Sequence, residues 1–169
     1  METYHLRRID KAMDSRTEML DVLRTSEIVT IAMCKDNQPY LVTMDYLFDE
    51  EQNCLFFHCA LAGKKMDYLQ INPTVWGQVV EDRGYLAGQC SHAYRSVHFL
   101  GSVEFVSDRE EKRAILAQMI ARFESEPAAL RRRLIEQSSL ENVAVGKIRI
   151  QEMSGKISPP PRPRTADTD

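Results

Sequence analysis

Two adjacent lysines, Lys64 and Lys65, follow Gly63 at what the residue pattern predicts to be the start of a short helix. The first turn of a helix already carries the positive end of the macrodipole and N–H groups without acceptors, so cationic side chains there cost stability unless an anion joins them. A glycine, two lysines and unpaired N–H groups together describe a cradle for a phosphate or another dianion. The plainer reading is a solvated basic turn, and this stretch alone leaves the two in balance. His58, upstream on an apolar run, reads first as a satisfied core histidine and second as a catalyst. Cys54 and His58 would share a face of a strand, as would Cys90 and His92 if locally extended. Neither pair has the second pair that a closed zinc site requires, so no metal is expected. Arg95 is either an anion ligand or half of a cross-strand ion pair with Glu104 or Asp45, and Met33 and Met44 read as core.

A chain of 169 residues suits one domain with a real core. With 22 basic and 25 acidic side chains the net charge is 22 − 25 = −3, which gives no electrostatic case for nucleic acid. No apolar run approaches the roughly 18 residues of a membrane span. The N-terminus Met-Glu-Thr-Tyr-His-Leu-Arg-Arg lacks the apolar region of a secretory signal, so a cytoplasmic protein is expected. The four cysteines show no CxxC spacing, which favours free thiols. No glycine fingerprint follows a strand, and there is no P-loop and no internal repeat.

The elements that must hold these residues follow from patterning. Residues 1 to 13 read as a polar, basic surface arm. Ser15 with Glu18 is a capping box that opens a first helix with a Met19, Leu20, Leu23 stripe. Ile28–Cys34 and Tyr40–Phe48 are strand-like runs joined by hairpin chemistry at Asp36-Asn37, and Leu55–Cys59 completes a meander. Gly63 to Ile71 is the short helix, stopped by Asn72-Pro73. Thr74–Val80 is a fourth strand, Glu81–Gly88 a polar loop, and Tyr94–Val106 a long strand with a bulge expected at Gly101. Ser107 with Glu110 opens a helix whose apolar face is Ile115, Leu116, Met119, Ile120 and Phe123, and Pro127 starts another. Val143–Ile150 is the last strand. The predicted class is mainly β with flanking helices (α+β), a six-stranded antiparallel barrel over residues 1–155, and the proline-rich residues 156–169 form a flexible tail.

The order Phe57-His58-Cys59, Gly63-Lys64-Lys65, Asn72-Pro73, Val80-Glu81-Asp82, Tyr94-Arg95-Ser96-Val97 and Gly101 resembles the flavin-binding split-barrel proteins. Within them the chain is most similar to the branch of 5-nitroimidazole resistance proteins, related to pyridoxamine 5′-phosphate oxidase, and the likeness covers roughly residues 5 to 155. It implies a split β-barrel homodimer with FMN in clefts between the subunits. Lys64 and Lys65 would hold the FMN phosphate. Backbone groups of Val42, Thr43, Met44 and Asp45 would face the flavin ring, Tyr94, Arg95 and Ser96 would line the ribityl or ring region, and His58 would lie near the flavin as the catalytic candidate. The activity implied is an oxidoreductase that passes electrons from reduced FMN to a small acceptor such as a nitroaromatic. A flavin- or haem-binding carrier without turnover, using His58, His92 or His98 as an axial ligand, is the alternative. The C-terminal arginine-and-histidine motif with which the oxidase holds its substrate has no counterpart in this chain.

Overall fold

The computed structural model describes residues 8–136 and 140–158. Its centre is an eight-stranded antiparallel sheet in the order β3-β2-β6-β7-β8-β5-β4, with β1 added beside β8. The strands are β1 Ala12–Met13, β2 Ile28–Lys35, β3 Gln38–Asp45, β4 Leu47–Asp49, β5 Cys54–Cys59, β6 Thr74–Leu86, β7 Ser91–Phe105 and β8 Ala144–Ser158. Helices α1 Arg16–Thr25, α2 Lys64–Ile71, α3 Arg109–Phe123 and α4 Pro127–Arg131 flank it. The sheet ends in β3 on one side and β4 on the other, so it curls without closing.

Two strands beyond the expected six account for the difference in number. The run Tyr40–Phe48 is broken at Tyr46, which leaves the ladder to bury its ring and donate its hydroxyl to the Leu23 carbonyl at 2.8 Å. The N-terminal arm is not wholly a surface element, because Met13 pairs with Gly155 and is buried in the core.

Glu81–Gly88 is not a loop. Its residues to Leu86 extend β6 and pair with the start of β7, with a register shift between Asp82 and Tyr85, so charged side chains here stand along a two-stranded ribbon. The last strand runs eight positions past Ile150, to Ser158, because both edges of β8 stay occupied, by β7 on one side and by β5 then β1 on the other. The cap of α3 is Asp108, whose carboxylate accepts from the Glu111 N–H at 2.7 Å, one residue later than the box read at Ser107. Residues 159–169, most of the expected tail, lie outside the described residues.

Other local signals appear where they were read. Ser15 caps α1 through the Glu18 N–H, Asp36 and Asn37 both take the positive φ of a tight hairpin turn, and the register of β7 on β8 shifts at Leu100/Gly101. Pro127 sits in the first turn of α4. All four cysteines are free.

The main core lies on the concave side of the sheet, where Val29, Ile31, Met33, Leu55, Phe57, Val79, Val97, Phe99 and Ile148 meet Leu23 and Tyr46. A smaller core covers the opposite side of β5 and β8, where Cys54, Phe56 and Val145 pack under Ile115 and Met119 of α3. Strand β5 is therefore buried on both faces, Leu55 and Phe57 inward and Cys54 and Phe56 towards α3. That alternation decides where His58 points.

Candidate anion-binding site at the start of α2

Helix α2 begins at Lys64 after Gly63, whose φ of 126° is open to glycine and strained for other residues, and which supplies no capping side chain. The first intrahelical bond is donated by the Asp67 N–H to the Gly63 carbonyl, so the N–H groups of Lys64, Lys65 and Met66 precede the ladder. The other end is fixed by Asn72, which donates to the Cys34 carbonyl at 3.1 Å and accepts from the Thr74 N–H at 3.1 Å. The helix is thus tied to β2 and β6, and its N-terminus comes to rest beside β3, the edge strand of the sheet.

The two lysines differ. Lys64 is exposed and lies over the Tyr40 ring at 4.5 Å and the Tyr68 ring at 5.5 Å. Those two rings pack against each other, with centroids 5.4 Å apart. Lys65 is half-buried, its Nζ 3.0 Å from the Met44 Sδ and 5.2 Å from the centre of the Phe57 ring. Burial pushes its pKa below the ordinary lysine value, with the Cys59 thiol pulling weakly the other way. Burial likewise raises the Cys59 thiol. Among the described residues no carboxylate pairs with either lysine. A half-buried cation among a thioether, a phenyl ring and a thiol is under-solvated.

The floor under Lys65 is fixed by a close approach. Gly146 on β8 pairs with Phe57, and a Cβ built there would come within 2.2 Å of the Phe57 Cζ. Only glycine lets the ring lie flat over the neighbouring strand. Nothing in the local pattern of β8 marked Gly146 as part of this site, because its partner is far away in sequence.

The structure brings Lys64 and Lys65 together with β3. Val42 and Met44 turn their side chains to the core side, Thr43 and Asp45 are exposed, and the Thr43 and Thr30 hydroxyls share a hydrogen bond of 3.0 Å. Tyr40, on the same strand, is a neighbour that the sequence reading did not single out.

His58 is not brought to the lysines. Phe57 and Cys59 face Lys65, so His58 lies on the other side of β5, in the wall of a cavity under α3. Tyr94, Arg95 and Ser96 stand on β7, separated from β3 by β6 and β2. Ser96 is buried opposite Val80. Arg95 donates to Asp21 at 2.7 Å and to Glu81 through two nitrogens. Burial works against its charge, but the bonds to Asp21 and Glu81 outweigh that and raise its pKa. The partners differ from the Glu104 and Asp45 considered from sequence, because the extension of β6 puts Glu81 opposite Arg95 and α1 brings Asp21 across. Glu104 instead pairs with Arg149 at 2.7 Å. Cys90 has a φ of 46° in the turn before β7, so it does not continue a strand face with His92.

The family profile described as Pyridoxamine 5′-phosphate oxidase matches residues 15–157. An uncharacterised protein of Rhizobium meliloti (strain 1021) is 31% identical over 67 residues, a stretch that spans 40% of this chain and 42% of that protein. Among solved structures, a candidate 5-nitroimidazole antibiotic resistance protein from Bacteroides thetaiotaomicron superposes with a TM-score of 0.67 at 23% identity, covering 86% of each chain. An FAD-binding protein from Mesorhizobium loti gives 0.63 at 23% identity, over 88% of this chain and 98% of that one. An FAD- and haem-binding protein from Mycobacterium smegmatis gives 0.70 at 20% identity, over 90% and 76%. At these identities the likeness to the solved structures is one of fold.

Proposed function

The chain belongs to the pyridoxamine 5′-phosphate oxidase family, and from that footing we propose that it binds a flavin, FMN, with the phosphate at the N-terminus of α2. The observation that carries this reading is Lys65, a half-buried cation with a lowered pKa, no carboxylate partner among the described residues and free helix N–H groups beside it. The FAD-binding neighbours support a flavin as the ligand.

In this reading Lys65 and the N–H groups of the first turn bind the phosphate, Lys64 adds charge from the exposed side, and the free edge of β3 from Val42 to Asp45 offers backbone groups to the ring. Bound there, the flavin would supply reversible electron and hydride chemistry for a small acceptor such as a nitroaromatic. The residues around it exclude water from one side, through Phe57, Met44 and Cys59. His58 lies outside this pocket, and no acceptor-reducing role is assigned to it.

A homodimer completes the proposal. The convex side of the sheet carries a row across four strands, Leu41, Ala32, Trp76 and Leu100, set by their pairings. Ile28 and Val80 flank it, and Leu41 is 63% and Trp76 45% exposed. An apolar surface of this kind on a soluble domain marks an interface. A second copy seated here would border the β3 edge, and Tyr94, Arg95 and Ser96 would approach a flavin only from the partner.

The absorption spectrum of the purified protein, followed by titration with FMN and riboflavin, tests the reading. Flavin bands with FMN bound about tenfold or more tighter than riboflavin are expected. Equal affinities would remove the phosphate assignment, and a Soret band in place of flavin bands would replace the cofactor.

A further inference from the structure

The cavity that holds His58 belongs to none of the above. It has a volume of about 260 Å³ and lies between β5, α3 and the described stretches 134–135 and 140–143. Among the described residues its lining is Leu116, Met119 and Ile120 from α3, Leu134 and Ile135 from the turn after α4, and Leu140 and Val143, with two polar residues, His58 and Asn142. Three observations distinguish it from a packing gap. The wall residues Leu134 and Ile135 lie in a π-helical turn, Arg132–Glu136, a geometry that recurs at functional sites. The side chains of His58 and Asn142 make no hydrogen bond to another described residue. Among the described residues no carboxylate lines the cavity to oppose an anion.

We propose that this cavity is a second ligand site, separated from the lysine pocket by the thickness of β5, and that it takes a small apolar carboxylic acid. The apolar body would fill the space against Leu116, Met119 and Ile135, and the carboxylate would accept N–H bonds from the His58 ring and the Asn142 carboxamide. The side-chain alternation of β5 makes the two sites independent in their contacts. Phe57 and Cys59 face the lysines while His58 faces the cavity, so one strand walls both.

The test uses the full chain with carbon-13-labelled methionine methyls, because Met119 lines the cavity while Met44 and Met66 report on the lysine pocket. The probe is 3-phenylpropionate, with 3-phenylpropan-1-ol as its neutral counterpart. For a ligand of this size a Kd of about a millimolar or tighter is expected. Its addition should move the Met119 methyl and leave Met44 and Met66 in place, and Leu116→Trp should abolish the shift by filling the cavity. Wild type should prefer the acid over the alcohol by about tenfold, and His58→Ala should erase that preference while the alcohol still binds. His58 is exposed, so this variant reports even if Leu116→Trp does not fold. No shift at Met119, equal shifts at all three methionines, or an unchanged preference in His58→Ala would each overturn the assignment. FMN titrated into the same sample should move Met44 and Met66, so failure of the flavin reading shows as a separate result.

Discussion

The Lys65 Nζ lies 3.0 Å from the Met44 Sδ, a contact that joins the start of α2 to the edge strand β3 and, among the described residues, gives the ammonium a thioether as its acceptor. A thioether is a weak acceptor, so the fold carries a cation whose desolvation is poorly offset. Lys65→Met, close to volume-conserving, should therefore raise the melting temperature of the flavin-free protein while weakening FMN about tenfold or more. Calorimetry of the apoprotein beside an FMN titration checks both signs. A variant that loses stability without losing affinity would show that the lysine serves packing.

The lowered pKa of Lys65 also gives FMN binding a pH dependence. Between the folded value and the ordinary 10.5 the unfolded chain holds the proton that the folded chain has released. The cost of the buried charge thus fades, and apoprotein stability rises, as pH climbs through the folded value. A bound phosphate favours the charged form and reverses the preference. FMN affinity should fall as pH rises through that same window, and Lys65→Arg should flatten the dependence because the guanidinium stays charged. Fluorescence titrations from about pH 7 to about 10 read this directly.

Arg95 ties α1 to the β6–β7 ribbon through Asp21 and Glu81. Burial alone would raise the Glu81 pKa, but the bonds from Arg83 and Arg95 outweigh it and hold the carboxyl below its ordinary 4.5. A depressed carboxyl contributes stability that is full above the ordinary value and is lost as pH falls through the folded one. Arg95→Ala should cost about 1–2 kcal/mol at neutral pH, and the deficit should shrink below about pH 4. Urea melts at several pH values measure it. A deficit that persists unchanged in acid would assign the loss to packing instead.

The exposed row on the convex sheet face predicts a dimer whose interface buries about 2,000 Å² or more. Leu41→Glu, which puts a charge in that row, should yield a monomer by light scattering while leaving far-UV circular dichroism unchanged. A wild-type mass of 19.4 kDa with flavin bound would show that the pocket needs no second subunit.

Gly146→Ala should be costly for a single methyl group. The added carbon would meet the Phe57 ring, which is fully buried and cannot move away without disturbing the floor of the lysine pocket. A loss of about 1–3 kcal/mol is expected, together with weaker FMN binding. Unchanged affinity in the folded variant would separate Phe57 from the site.

What the sequence determined by itself were the features whose causes are local. The capping box at Ser15, the Asp36-Asn37 turn, the Gly63 start and Asn72-Pro73 stop of α2, and the lysine pair at its positive end each arise from neighbouring residues. The antiparallel class followed from several strand-like runs in which helices do not alternate one for one. Tertiary structure alone decided what those signals were set against. Glu81–Gly88 reads as a polar loop because its charges and glycines carry no strand pattern, and its residues to Leu86 become strand because β7 supplies the backbone partners. Arg95 reads equally as an anion ligand or as half of an ion pair with Glu104 or Asp45, and packing decided for an ion pair with other partners, Asp21 from α1 and Glu81. The clearest case is β5, where alternation fixes that His58 opposes Phe57 and Cys59 but cannot say which side meets the lysines. That choice was made by the helices, with α2 laid on one face and α3 on the other, and both are placed by contacts that are distant in sequence.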